Sequence, residues 1–166
     1  REHFLTKLFM MARFREVRKS GQMRQLVQFH AQNKLIFMAY NQTQMRVLGR
    51  IVANPTKRPF HDVVQDYENS LKDAMARLPR MQSHINVLMH AMGYFSKKLN
   101  AEEKAYFLKA LEQYRKAQLP LSALLTVLKS WVTRFQEDYL NIQAYFEPFP
   151  STLKTVSDSG KGRVVQ

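Results

Sequence analysis

Residues 120–140 read PLSALLTVLKSWVTRFQEDYL, and this stretch decides the fold class. Leu124, Leu125, Leu128, Trp131, Val132, Phe135 and Tyr139 recur at the spacing that turns one face of a helix toward a core. Pro120 suits the first turn of such a helix, where no N–H is needed. The same period runs through the rest of the chain, and no convincing run of two-residue alternation interrupts it. Only five glycines are present, two of them at Gly160 and Gly162, and the prolines fall mostly where periodic segments stop. These features predict an all-α, single-domain bundle of about six to seven helices over 1–154, with a flexible C-terminal tail over 155–166.

Helices are expected over about 1–19, 23–40, 43–53, 60–78, 81–98, 101–117 and 120–140. Gly21 stops the first. Asn41 caps the third, and Asn100-Ala101-Glu102-Glu103 resembles a capping box. From Pro148 onward the chain should be extended, and Ser157-Asp158-Ser159-Gly160-Lys161-Gly162 has the composition of a disordered tail.

The 166 residues include 45% apolar side chains, enough for a core. Lys and Arg total 26 against 13 Asp and Glu, a formal net charge of +13 that favours an anionic partner. The absence of cysteine excludes disulfides, thiolate zinc sites, iron–sulfur ligation and a cysteine nucleophile within this chain. No apolar run reaches the roughly 18–20 residues of a membrane span, and no signal-peptide pattern opens the chain, so a cytoplasmic location is expected. Arg1 rather than Met stands first, in agreement with excision from a longer protein.

Chemistry is expected where polar residues intrude on apolar faces. In 23–40, Gln25, Gln28 and Gln32 share a solvent arc at about 100° per residue, while His30 and Lys34 fall among Leu26, Val27, Phe37 and Met38. Lys34 in such an arc calls for a partner other than water, since an unpaired buried ammonium is costly. The structural alternative is a snorkelling Lys34 and a hydrogen-bonded core His30. In 81–98 the stripe of Ile85, Leu88, Met89, Met92, Phe95 and Leu99 leaves Asn86, His90, Gly93 and Lys97 on the other flank. Gly93 there suggests close approach of a backbone or ligand, or else a packing glycine on a solvent face. In 101–117 Arg115 projects into a stripe of Phe107, Leu108, Leu111 and Tyr114, to meet either an internal carboxylate or a ligand anion.

Glycine-rich phosphate loops, His-Glu-x-x-His and Gly-x-Ser-x-Gly are absent from the sequence. His84 and His90 are six apart, a poor spacing for a shared metal, so neither a metal site nor a cofactor is expected in this chain.

Several segments resemble a known family: 29–40 (FHAQNKLIFMAY), 48–54 (LGRIVAN), 86–95 (NVLMHAMGYF), Tyr114-Arg115 with Pro120-Leu121, and Tyr139-Leu140 followed by 143–150 (QAYFEPFP). They resemble the bacterial YbgA-like domain of unknown function, in order, to about residue 154. The match includes His30, Lys34, Gly49, Arg50, His90, Gly93, Tyr94, Tyr114 and Arg115. Two departures stand out: the family pattern has a second His where this chain has Asn33, and Pro where it has Asp138. The first weakens any role that needs a histidine pair on 23–40. The resemblance implies a domain found alone or fused behind a cysteine-rich, thiouracil-desulfidase-like domain, to which any cluster chemistry would belong.

Three functions follow as expectations. The first is an accessory module binding a nucleobase, nucleotide or nucleic acid for an associated enzyme domain, with His30, Lys34, Arg50, His90, Gly93, Tyr94, Tyr114 and Arg115 as ligand residues. The second is a small enzyme using His30 or His90 as acid and base on an anionic substrate. The third is a basic protein-interaction bundle. A shared site predicts that at least three of His30, Lys34, His90 and Arg115 line one cavity.

Overall fold

The computed structural model describes residues 1–154; the tail expected over 155–166 lies outside them. Eight α-helices follow one another, with no strand among the described residues: α1 Glu2–Ser20, α2 Met23–Tyr40, α3 Gln42–Ala53, α4 Phe60–Ala74, α5 Met81–Gly93, α6 Ala101–Arg115, α7 Leu121–Phe135 and the single turn α8 Asp138–Asn141. None is long and apolar enough to cross a membrane.

Local chemistry sets several boundaries. Gly21 ends α1 in the left-handed region at φ 64°, which a glycine adopts without a Cβ penalty. Asn41 serves two helices at once. Its N–H closes α2 on the Phe37 carbonyl at 2.8 Å, and its Oδ1 accepts the Gln44 N–H at 3.0 Å to open α3. With one residue between them, α2 and α3 fold back on one another, which brings Gly49 against His30. Asn100 and Glu103 close a reciprocal capping box at the start of α6.

Three helices end well before their periodicity predicts, and α6 ends slightly early at Arg115. α4 stops at Ala74 instead of 78: Ala76 donates three residues back to Asp73, and Pro79 has no N–H with which to continue the winding onto Met75. α5 stops at Gly93 instead of 98. Beyond it Tyr94, Phe95 and Ser96 donate to carbonyls three residues back, a tighter winding that still buries Phe95 and Leu99. α7 stops at Phe135 because Gln136 turns left-handed at φ 50°, and α8 restarts behind the Glu137 side chain, which accepts the Tyr139 N–H. The segment from Pro148 onward is not simply extended: Ser151–Leu153 forms a 3-10 turn, and Phe149 is buried.

α2 is the centre of the bundle, packed against α1, α3, α4 and α5, while α5 in turn meets α6 and α7. Its buried face carries Leu26, Phe29, Asn33, Ile36 and Phe37. Phe14 of α1 and Tyr67 of α4 close over Phe29 as an aromatic cluster. The segment after α8 straps back across α2. The Gln143 side chain accepts the Leu35 N–H at 3.2 Å and donates to the Ala31 carbonyl at 2.8 Å, and the Ala144 N–H donates to the Gln32 carbonyl at 2.9 Å. Gln143, Tyr145, Phe146 and Phe149 are buried by this docking.

Candidate functional site

The buried arc of α2 is centred on Asn33, whose Nδ2 donates to the Phe29 carbonyl at 2.8 Å while Oδ1 is buried without a partner among the described residues. Lys34, one position on, is therefore turned about 100° away. It is exposed and makes no hydrogen bond or ion pair among the described residues, contrary to the expected partner. Val27, on the same side, is 49% exposed. The intrusion of Lys34 into an apolar face is thus an edge position seen in projection.

His30 faces inward. Its Nδ1 shares a hydrogen bond of 3.0 Å with the hydroxyl of the fully buried Tyr67, and its Nε2 lies against Gly49 of α3, 3.6 Å from where a Cβ would stand. Burial, with the charge of Lys34 adding to it, pushes the imidazole down to about 4. Gly49, rather than Gly93, is the glycine at a close approach: nothing lies within 4 Å of a Cβ at Gly93.

The surface outside this seam is basic. From Val17 to His61 the chain holds no Asp or Glu. Arg18, Lys19 and Arg58 in that stretch pair with Glu68, Glu16 and Asp66. Arg24 and Lys34 on α2, and Arg46 and Arg50 one turn apart on α3, are exposed and without an ion pair among the described residues. The exposed strip of α2 runs between α3, met at His30 and Gly49, and the strap, met at Ala31, Gln32 and Leu35.

Beyond the strap stand aromatic rings. Tyr94, 40% exposed, stacks on Tyr139 of α8 at 5.2 Å, and His90 meets Tyr94 edge-on at 5.6 Å. The Gln143 amide that bonds Ala31 also donates to the Tyr139 carbonyl at 3.4 Å, which ties this cluster to the α2 strip. Arg115 and Tyr114 lie elsewhere. Arg115 shares an outward side with the exposed Leu108, seven residues earlier, and pairs with Glu112 at 3.7 Å; Tyr114 is buried. Among the described residues the expected cavity shared by His30, Lys34, His90 and Arg115 does not form.

A different cavity does, of about 300 Å³, where the start of α1, the end of α2, the loop before α5, α5, the start of α7 and the strap converge. Two histidine–tyrosine pairs line it. His3 Nδ1 and the Tyr40 hydroxyl are 3.0 Å apart with their rings stacked at 5.4 Å; His84 Nδ1 and the Tyr145 hydroxyl are 2.7 Å apart. Burial lowers both imidazoles, with Lys7 adding to it at His3. Burial pushes Tyr40 up to about 12, with a Thr6 hydrogen bond opposing and Glu2 reinforcing, and raises Tyr145 further. None of these four residues was a candidate ligand residue from sequence. Among the described residues no three His, Asp or Glu side chains gather as a metal site.

The family model described as "Protein of unknown function (DUF1722)" matches residues 34–150. The chain belongs to the DUF1722 family. The DUF1722 match takes in Lys34, Arg46, Arg50, Tyr94 and the strap, as well as Tyr40, His84 and Tyr145 of the cavity; His3 and Arg24 precede it. The chain is also 27% identical over 151 residues to the "Uncharacterized protein YbgA" of Escherichia coli (strain K12), covering 90% of this chain and 89% of that one. No solved structure matches the chain.

Proposed function

We propose that this DUF1722 domain is a nucleic-acid-binding accessory module that holds a single strand on the outer face of α2 and α3 beside an associated enzyme domain. The observation that carries the reading is the set Arg24, Lys34, Arg46 and Arg50: exposed, unpaired among the described residues, and drawn from a stretch without any acidic side chain. Cations in that state are free to meet phosphates and release their counterions. Tyr94, stacked on Tyr139 and partly open to solvent, supplies a ring face on which a base can stack. The enzyme domain enters through the family resemblance. His30 is a poor choice of general base, since one nitrogen is engaged by Tyr67 and burial holds its pKa at about 4, far below neutrality.

Fluorescence anisotropy of a labelled single-stranded RNA at several salt concentrations tests the reading. Four phosphate contacts give a log–log salt slope of about −3, and the K34E/R46E/R50E variant should reduce it by about 2 units with unchanged helicity. No binding at low salt by the folded parent, or equal binding by the variant, overturns it.

A further inference from the structure

We propose that the cavity between the two histidine–tyrosine pairs is a binding site for a neutral, planar heteroaromatic ring that carries hydrogen-bond donors and acceptors on its edge. Its volume of about 300 Å³ lies at the lower end of small-molecule pockets and far above the space one water needs. Much of the wall is apolar, with Ile36, Leu125, Phe146 and Phe149 among the lining residues. That favours a ring over a hydrated ion.

The rings of His3 and Tyr40, inclined by only 22°, stack on each other in the cavity wall, and a further planar ring is the ligand shape that would extend such a stack. Hydrogen bonding sets the ligand's edge. Each imidazole has Nδ1 engaged by a phenol, which leaves Nε2 as its other polar atom. Burial disfavours the charged form of both imidazoles, so they offer a donor or an acceptor rather than a counter-charge. The charged lining groups, Glu2 and Lys154, are both exposed, so nothing buried balances a ligand ion. A purely apolar ligand would leave the polar atoms unmatched.

This site is separate from the α2–α3 face and does not depend on it. The ring can arrive free or as a base on a strand, and the experiment separates the two. Free adenine is titrated into the full 166-residue chain with the histidine side-chain and tyrosine ring resonances followed by NMR, with toluene as a ring lacking the polar edge. Adenine should shift the His84, His3 and Tyr145 signals saturably, and toluene should bind more weakly. Tyr145→Phe keeps the ring and removes one hydroxyl; it should weaken adenine binding about tenfold while the melting transition persists. His84→Phe should do the same, and if it does not fold the Tyr145→Phe result decides.

The K34E/R46E/R50E variant should bind free adenine as the parent does, whatever its effect on RNA. An oligoadenylate that shifts the same signals in the parent and not in this variant assigns the ring to a bound strand. Shifts with free adenine alone assign it to a free small molecule. No shift at millimolar adenine, toluene binding as tightly as adenine, or unchanged affinity in Tyr145→Phe overturns the proposal.

Discussion

The side-chain amide of Gln143 accepts the backbone N–H of Leu35, 108 positions earlier in the chain, and donates to the carbonyl of Ala31. Leu35 and Ala31 are the i and i−4 partners of one helical turn. Gln143 therefore spans a rung of α2 from outside, and the adjacent bond from Ala144 to Gln32 makes the contact two residues wide. A buried side chain that satisfies main-chain groups of another helix is expensive to remove, because truncation loses the bonds and leaves an apolar void.

Gln143→Leu should accordingly destabilise the domain by about 2–3 kcal/mol, roughly 1 kcal/mol for each bond lost. For a chain of this length that lowers Tm by about 4–12 °C. Thermal denaturation followed by circular dichroism measures it, and amide exchange at Leu35 should quicken in the variant. A Tm within a degree of the parent would refute the role given to the clamp.

Acid should weaken the fold through its neutral histidines. His30, His84 and His3 all have lowered pKa values, His30 down to about 4. Between that value and the unfolded value near 6.5, the unfolded chain binds a proton that the native chain does not, so stability falls as pH drops through this window and is fully present above it. His30 alone contributes on the order of 2 kcal/mol, allowing for its partial exposure. Denaturant titrations at pH 7.5 and 4.5 should show the drop. In His30→Gln it should be smaller; an equal drop there would remove His30 as a cause.

Two glycines should respond differently to side chains of increasing size. A Cβ at Gly93 meets nothing within 4 Å, and one at Gly49 meets only His30 Nε2 at an ordinary 3.6 Å. Both Gly93→Ala and Gly49→Ala should gain up to about 1 kcal/mol from helix propensity. Gly49→Leu should instead destabilise, because its branch points into the space of the His30 imidazole and threatens the bond to Tyr67. Tm measurements on the three variants suffice, and a Gly49→Leu variant as stable as Gly49→Ala would show the seam to be loose.

The sequence was most legible where a boundary depends on neighbours in the chain. Gly21, Asn41 and Asn100 act on backbone groups within a few residues, and each occupies the predicted place. The ends at Ala74, Gly93 and Phe135 were less legible because periodicity continues past them: Phe95 and Leu99 are buried by a tighter winding that keeps the same apolar positions inward. Lys34 was misplaced for a related reason. Judged by residue type, the apolar arc of α2 includes Val27 and Met38; judged by contact, it is centred on the polar Asn33. The cavity could not be found by helical spacing at all. Its pairs join residues 37 and 61 positions apart, and spacing speaks only for residues within one element.

The strap also imposes an order of events during synthesis. At roughly 5–20 residues per second, the 108 positions between Leu35 and Gln143 take about 5–20 s to make. Throughout that interval the emerging chain carries its central helix with one flank bare, and Ala31 and Leu35 have no outside partner. A nascent polypeptide halted before Gln143 would present that flank to whatever else is in reach, and only the arrival of Gln143 and Ala144 closes it.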